Sequence, residues 1–189
     1  MACGADLTSD ALRLALRSAC GEMTAMAFHE TATRLWKALS REERLLAASA
    51  FFRDPAPDLI GSALGVVVEA RRMRPQAARA LPPEARARIV ATVLDPGETL
   101  AQGLLVSLHL AERRPLLVAF LDALEWPHDN GLLTEDGESA APPSRAAAGE
   151  AVKALASYPR DQVQTYLNTL WLQDPERWAA LPEAADQGV

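Results

Sequence analysis

Apolar residues recur at helical spacing through most of this chain, and short polar or proline-bearing segments separate the apolar runs. The run over 22–39 illustrates the pattern, because its apolar stripe consists of Phe28, Ala32, Leu35, Trp36 and Leu39. A helix of this kind buries its apolar stripe against a neighbour. The pattern therefore predicts an all-α fold of about eight to ten helices.

A repeated phrase marks the boundaries between these helices. Each copy is an Ala-Leu pair followed by a helix start with Ser or Pro and an acid, and three copies lie about 42 residues apart, at Ala38-Leu39, Ala80-Leu81 and Ala123-Leu124. Asp-Pro pairs at Asp54 and Asp95 then end the helices that the first two copies begin. Self-similarity at such a period is typical of helical-repeat arrays.

Two units of about 41 residues are visible over 40–124, and each contains an Arg-Pro kink, at Arg74-Pro75 and Arg114-Pro115, followed by a short third helix. This organisation resembles the HEAT and armadillo class of α-solenoids. The resemblance implies stacked helical hairpins and carries no activity with it. In such a stack we expect the segment 58–74, which is apolar on nearly every side, to be a central helix. Its Gly61 and Gly65 predict close approach of another helix.

The chain is predicted to form a single all-α domain over residues 1–189. Its predicted parts are N-terminal helices over 1–39, the two repeats over 40–124, an irregular acidic loop over 125–143 and C-terminal helices over 144–189. Loops of that length inside a compact array are usually functional or disordered. The break in the repeat is therefore where we expect a specific surface.

The two cysteines, Cys3 and Cys20, form no CxxC pair, so the sequence predicts neither a disulfide framework nor a zinc site. We expect a cytoplasmic protein, because the N-terminal residues do not resemble a secretory leader and no apolar run is long enough to span a membrane.

Motifs for catalysis or cofactor binding are not found, and we expect no catalytic residue, no cofactor and no metal. His29-Glu30 lacks the second His of a zinc protease, and a proline interrupts the spacing between Glu125 and His128 that would otherwise match a di-iron bundle. His109 lies in a leucine-rich helix, where a hydrogen-bonded core histidine is expected.

Charge is unevenly distributed along the chain, whose net charge is −6. Residues 71–121 carry a net charge of +4, and residues 122–189 carry −8. Arginines supply the positive charge, and their guanidinium groups suit carboxylate or phosphate recognition. We expect a partner-binding surface made of an arginine ridge and the irregular loop, with the candidate residues Arg71, Arg72, Arg74, Arg113, Arg114, Trp126, His128, Asp129 and Asn130.

Three functions remain open at this point. The first is a non-catalytic adaptor module that recognises an acidic or charge-complementary protein, which includes self-association and pairing with the chain's own acidic third. The second is an enzyme or small-ligand protein with His109, His128 and Asp129 around a cleft near Gly61, Gly65 and Gly103. The third is nucleic-acid binding through the arginines, which the pI of about 5.1 and the few aromatic residues disfavour. No membrane partner is expected.

Overall fold

The computed structural model describes Phe28 and residues 31–188, and in this part the chain is all-α apart from one two-stranded sheet. The helices are α1 (Ala32–Ala38), α2 (Arg41–Arg53), α3 (Ile60–Arg71), α4 (Pro75–Ala80), α5 (Pro83–Val90), α6 (Glu98–Glu112), α7 (Arg114–Ala123), α8 (Glu135–Glu138), α9 (Arg145–Ala154), α10 (Arg160–Gln173) and α11 (Leu181–Gly188). The strands β1 (His128–Asp129) and β2 (Leu132–Leu133) lie between α7 and α8.

Local capping chemistry sets the helix ends where the sequence predicted them. Ser40 and Glu43 form a complete capping box at the start of α2, and Asp54 ends that helix. Ser144 caps α9 with its hydroxyl, and Pro83 occupies the first turn of α5. These starts and the end at Asp54 match the prediction, whereas α5 ends at Val90, five residues before the Asp95-Pro96 pair that was predicted to end it.

The N-terminal prediction is confirmed only in part. The predicted helix over 22–39 starts at Ala32, where Thr31 accepts a hydrogen bond from the Arg34 backbone N–H. Phe28 is not helical. The predicted helix over 9–19 lies outside the described residues, as do Cys3 and Cys20.

The buried side chains form two clusters, one at each end of the chain. The first joins α1–α6 around Trp36 and Phe51, and the indole N–H of Trp36 donates to the Val93 carbonyl at 2.8 Å. The second joins α7, α9, α10 and α11 around Phe120 and Leu167. Helix α6 packs on α1, α2, α7 and α10, so it links the two clusters. None of the helices in the described part combines the length and apolar content that crossing a bilayer requires.

Helix α3 lies at an edge of the fold, so the prediction of a central helix is wrong. Only Ala63 and Val67 are buried in it, and it packs mainly on α4 and α5. Gly61 and Gly65 are exposed, and a Cβ added at either position would have no neighbour within 4 Å. The apolar pattern was read as all-round burial, whereas the outer stripe of the helix faces solvent and consists of small residues and one acid, Glu69.

Helix α2 packs mainly on α5 and α6, which belong to the following predicted unit. Helix α3 packs on α5 as well. Helices α2 to α6 of the two predicted units therefore share one apolar core, whereas α7 of the second unit belongs to the second cluster.

The segment 125–143, predicted to be an irregular loop, contains a β-hairpin and a one-turn helix. His128 pairs with Leu133 and Asp129 with Leu132. The two turn residues Asn130 and Gly131 have φ values of 48° and 87°, which match the type I′ turn that Asn-Gly favours. Helix α11 lies at the end of the predicted helical segment 144–189 and packs on α9.

Candidate functional site

Three candidate arginines surround the C-terminal end of α3. Arg71 lies in its last turn, Arg72 ends the helix in the left-handed region with φ of 49°, and Arg74 precedes the proline that starts α4. All three are exposed, and no ion pair to any of them is found in the described part of the chain. Their guanidinium groups are therefore accessible to a partner.

Arg113 does not belong to this surface, which corrects the sequence prediction of a continuous arginine ridge. Its side chain is 6% exposed, and Nη2 donates to Glu43 Oε1 at 2.5 Å. Burial alone would raise the pKa of Glu43, but hydrogen bonds from Ser40 and the charge of Arg113 outweigh that effect and lower the pKa. Arg113 thus fixes the start of α2 to the end of α6.

Arg114 is also engaged within the fold. Its Nε donates to the Leu110 carbonyl at 2.9 Å, and Nη1 donates to the Asn130 carbonyl at 3.2 Å. These bonds tie the hairpin turn to α7 and leave the side chain half-buried. Arg113 and Arg114 are the positional equivalents of exposed arginines in the preceding unit, yet they hold the fold together.

The candidate residues of the hairpin segment differ widely in exposure. Trp126 is half-buried, lies 5.3 Å from the Trp178 ring and is covered by the Arg177 guanidinium 4.5 Å from its centroid. His128 Nε2 lies 3.1 Å from Asp122 Oδ1, and the Gly131 N–H donates to His128 Nδ1. Asp129 and Asn130 alone among these candidates expose their side chains, at the hairpin turn.

A cavity of about 300 Å³ lies between the hairpin and helices α6, α7 and α10. Its wall is mainly apolar, and the polar side chains in it are His109, Glu138, Tyr166, Thr169 and Gln173. Cavities of this volume are at the lower end of those that bind small organic molecules. The cavity is therefore the most site-like concave feature of the second cluster.

His109 is held neutral in the wall of this cavity. The Thr169 hydroxyl donates to the Thr165 carbonyl at 2.8 Å, so it accepts from the His109 Nε2–H group at 3.1 Å. Burial, with a smaller contribution from the charge of Arg113, lowers the pKa of His109 to about 3. Nδ1 has no partner within the described residues.

Tyr166 lies beside His109, with the two ring centroids 5.4 Å apart in an edge-to-face arrangement. The residue is 3% exposed, and burial raises the pKa of its phenol above the ordinary value. No hydrogen-bond partner for its hydroxyl is found in the part of the chain that the structure describes. Sequence analysis missed Tyr166 as a site residue, although a tyrosine on an otherwise apolar helical stripe signals a buried hydroxyl that needs a partner.

The structure brings together only part of the predicted cleft. His109 lines the cavity, whereas His128 and Asp129 do not; their neighbours Gly131, Leu132 and Leu133 do. Gly103 lines an adjoining groove of about 510 Å³ beside Leu59, and Gly61 and Gly65 lie on the exposed face of α3. A catalytic group made of His109, His128 and Asp129 is therefore not assembled around one cavity.

Within the described residues, no group of three or more His, Cys, Asp or Glu side chains is placed to hold a metal ion. His29 lies outside those residues. No protein-family model, curated protein or solved structure matches this chain. The function of this chain is therefore inferred from its own residues.

Proposed function

We propose that this protein is a non-catalytic helical-repeat module that binds a protein partner, and that the partner presents an acidic helix to α3. The observation that carries the proposal is the outer face of α3, which none of the described elements covers, together with the three exposed arginines at its C-terminal end. A single edge helix thus combines a smooth surface with concentrated positive charge.

The outer face of α3 is suited to close helix packing. Gly61 and Gly65 lie one turn apart with open space above them, and Leu64 and Val68 are half-buried on the same helix. A helix laid on this face would contact the backbone of α3 without meeting side chains at the glycines, and it would cover the half-exposed apolar residues beside them. The contacts with the partner would then offset the free-energy cost of two glycines in one helix.

The charges determine what kind of helix fits. Arg71, Arg72 and Arg74 lie at one end of the face, and Glu69 is the acid nearest to them in the sequence of α3. Guanidinium groups bind carboxylates with two parallel hydrogen bonds, so acidic side chains at the corresponding end of the partner would be recognised there. The partner is therefore expected to be acidic as well as amphipathic.

The order of the helices supports the helical-repeat part of the proposal. In both units a first helix, started by a capping box in α2 and by a first-turn proline in α5, precedes a more apolar helix (α3, α6) and then a short helix with proline in its first turn (α4, α7). Units of this kind bury their apolar faces against neighbours and leave outer faces for binding. The outer face of α3 has the position expected of such a binding surface.

A pull-down from cell lysate at two salt concentrations tests the proposal. The informative variant carries Arg71→Ala, Arg72→Ala and Arg74→Ala, and its retained proteins are compared with those of the wild type. We expect specific proteins to be retained at low salt and to be lost with the variant. Their retention should fall at high salt, because exposed charges are screened within about 10 Å at 0.1 M salt.

A matched variant separates a specific surface from net charge. Arg41→Ala, Arg145→Ala and Lys153→Ala also remove three positive charges from exposed positions, and this variant should retain the same proteins. Equal loss with both variants, or no retained protein, would contradict the proposal. Retention that disappears after nuclease treatment would favour nucleic-acid binding instead.

A further inference from the structure

We propose that the cavity beneath the hairpin binds a small, neutral, mainly apolar molecule with one carbonyl or hydroxyl oxygen, and that Tyr166 donates a hydrogen bond to that oxygen. The inference is independent of the α3 surface, since the described lining residues of the cavity come from α6, α7, α8, α10, the hairpin and Trp178. It assigns a ligand class to a site that the adaptor proposal does not use.

The wall of the cavity selects for apolar ligands. Leu117, Leu121, Leu133, Leu170 and Trp178 form much of the lining. Burial of apolar surface contributes about 25 cal/mol per Å², so a ring-sized ligand gains most of its affinity from these side chains. A volume of about 300 Å³ is compatible with a molecule of one or two rings.

Tyr166 supplies the polar recognition. A buried hydroxyl without a hydrogen bond is destabilising, and such groups in proteins are normally satisfied by a protein atom, water or ligand. Tyr166 is 3% exposed and lines the cavity. Within the described part of the chain no protein atom bonds its hydroxyl, which is not among the side-chain atoms sealed from solvent without a partner and is therefore accessible from the cavity. An oxygen acceptor on a ligand would satisfy it.

The charges of the lining exclude an anionic ligand. The described lining contains no Lys or Arg, and His109 directs its only N–H to Thr169. The one ionisable acid in the wall is Glu138, an exposed side chain. An anion would be desolvated without a counter-charge, at a cost that apolar contacts do not offset. A neutral molecule avoids this cost.

The hairpin forms the outer side of the cavity. Leu132 lines it and is 47% exposed. Gly131, in the turn, lies against Leu117 on α7. A bound ligand would cover part of the exposed surface of Leu132, so the hairpin is expected to respond to binding.

The test uses two probes with the same bicyclic frame, 1-indanone and indane, which differ in one carbonyl oxygen. Binding to the full chain is measured by calorimetry and by two-dimensional NMR. We expect both probes to bind and 1-indanone to bind about three- to tenfold more tightly, the range for one neutral hydrogen bond. Chemical-shift changes should concentrate on Tyr166, His109 and the hairpin.

Tyr166→Phe removes a single oxygen atom and is the decisive variant. It should bring the affinity for 1-indanone down to that for indane and leave the affinity for indane unchanged. Failure of both probes to bind the wild type would overturn the proposal. Equal affinities for the two probes in the wild type, or chemical-shift changes in the groove beside Leu59 and Gly103 instead of the cavity, would overturn it as well.

Discussion

Replacing Gly61 and Gly65 by alanine should make the protein more stable, although two glycines one turn apart on a helix face suggest tight packing. Glycine is about 1 kcal/mol less favourable than alanine in a helix interior. Gly65 lies in the interior of α3 and Gly61 in its first turn, where the penalty is smaller, and an added Cβ meets nothing within 4 Å at either position. The double variant should therefore gain about 1.5 kcal/mol.

Thermal and urea unfolding measure this gain. For a chain of this size, 1 kcal/mol corresponds to about 2–4 °C in Tm, so the double variant should melt about 3–6 °C higher. Gly137→Ala is the control, because its Cβ would collide with the Pro127 carbonyl oxygen. Gly137→Ala should therefore lower the free energy of unfolding by about 1–3 kcal/mol.

A loss of stability at Gly65 would refute the edge position of α3, since it would mean that another element covers this face. The double variant also bears on function. If a partner helix packs closely on the glycines, the more stable protein should retain its partner less well than the wild type. Stability and binding would then change in opposite directions, which loss of folding cannot produce.

Three further predictions concern the interior and the hairpin. Because the pKa of His109 is about 3 in the folded state and about 6.5 unfolded, the unfolded chain binds more protons between these values. The free energy of unfolding should fall as pH decreases through this window, by up to about 1.4 kcal/mol per pH unit. Urea titrations at several pH values measure this dependence, and His109→Gln should make it weaker. Glu43→Gln leaves the buried Arg113 charge without its partner and should cost roughly 2–4 kcal/mol in the same assay at pH 7; a loss no larger than that of Lys37→Ala, in an exposed pair, would contradict the role given to it. Gly131→Ala forces a side chain into a φ of 87° and should cost about 1–2 kcal/mol by thermal unfolding, whereas an unchanged Tm would argue against the type I′ turn.

Capping residues explain why the helix boundaries could be predicted. Ser40, Asp54 and Pro83 act on backbone groups within a few residues, so their effect does not depend on the rest of the fold. The Asn130-Gly131 turn is equally local. The sequence contained this hairpin signal, but the acidic and proline-rich surroundings led to the prediction of an irregular loop.

Burial could not be predicted in the same way, because it depends on which helices become neighbours. Helix α3 is apolar on most sides, but among the described elements it packs mainly on α4 and α5, on its inner side. Arg71 and Arg113 both lie near the end of an apolar helix in the sequence. Arg113 is buried and paired because Glu43 lies next to the end of α6, whereas Arg71 is exposed. Tyr166 could not be assigned to a site from the sequence, because the cavity beside it is formed together with the distant hairpin.

Site-specific photo-crosslinking in cells tests the central claim most directly. One variant carries a benzophenone amino acid at Ser62, an exposed position on the outer side of α3. A second variant of the same chain, the control, carries it at Glu176, an exposed position after α10. We predict a discrete crosslinked protein from Ser62 that disappears when Arg71, Arg72 and Arg74 are changed to alanine. No crosslink from Ser62, or the same crosslinked protein from Glu176, would contradict the proposal that α3 binds an acidic partner.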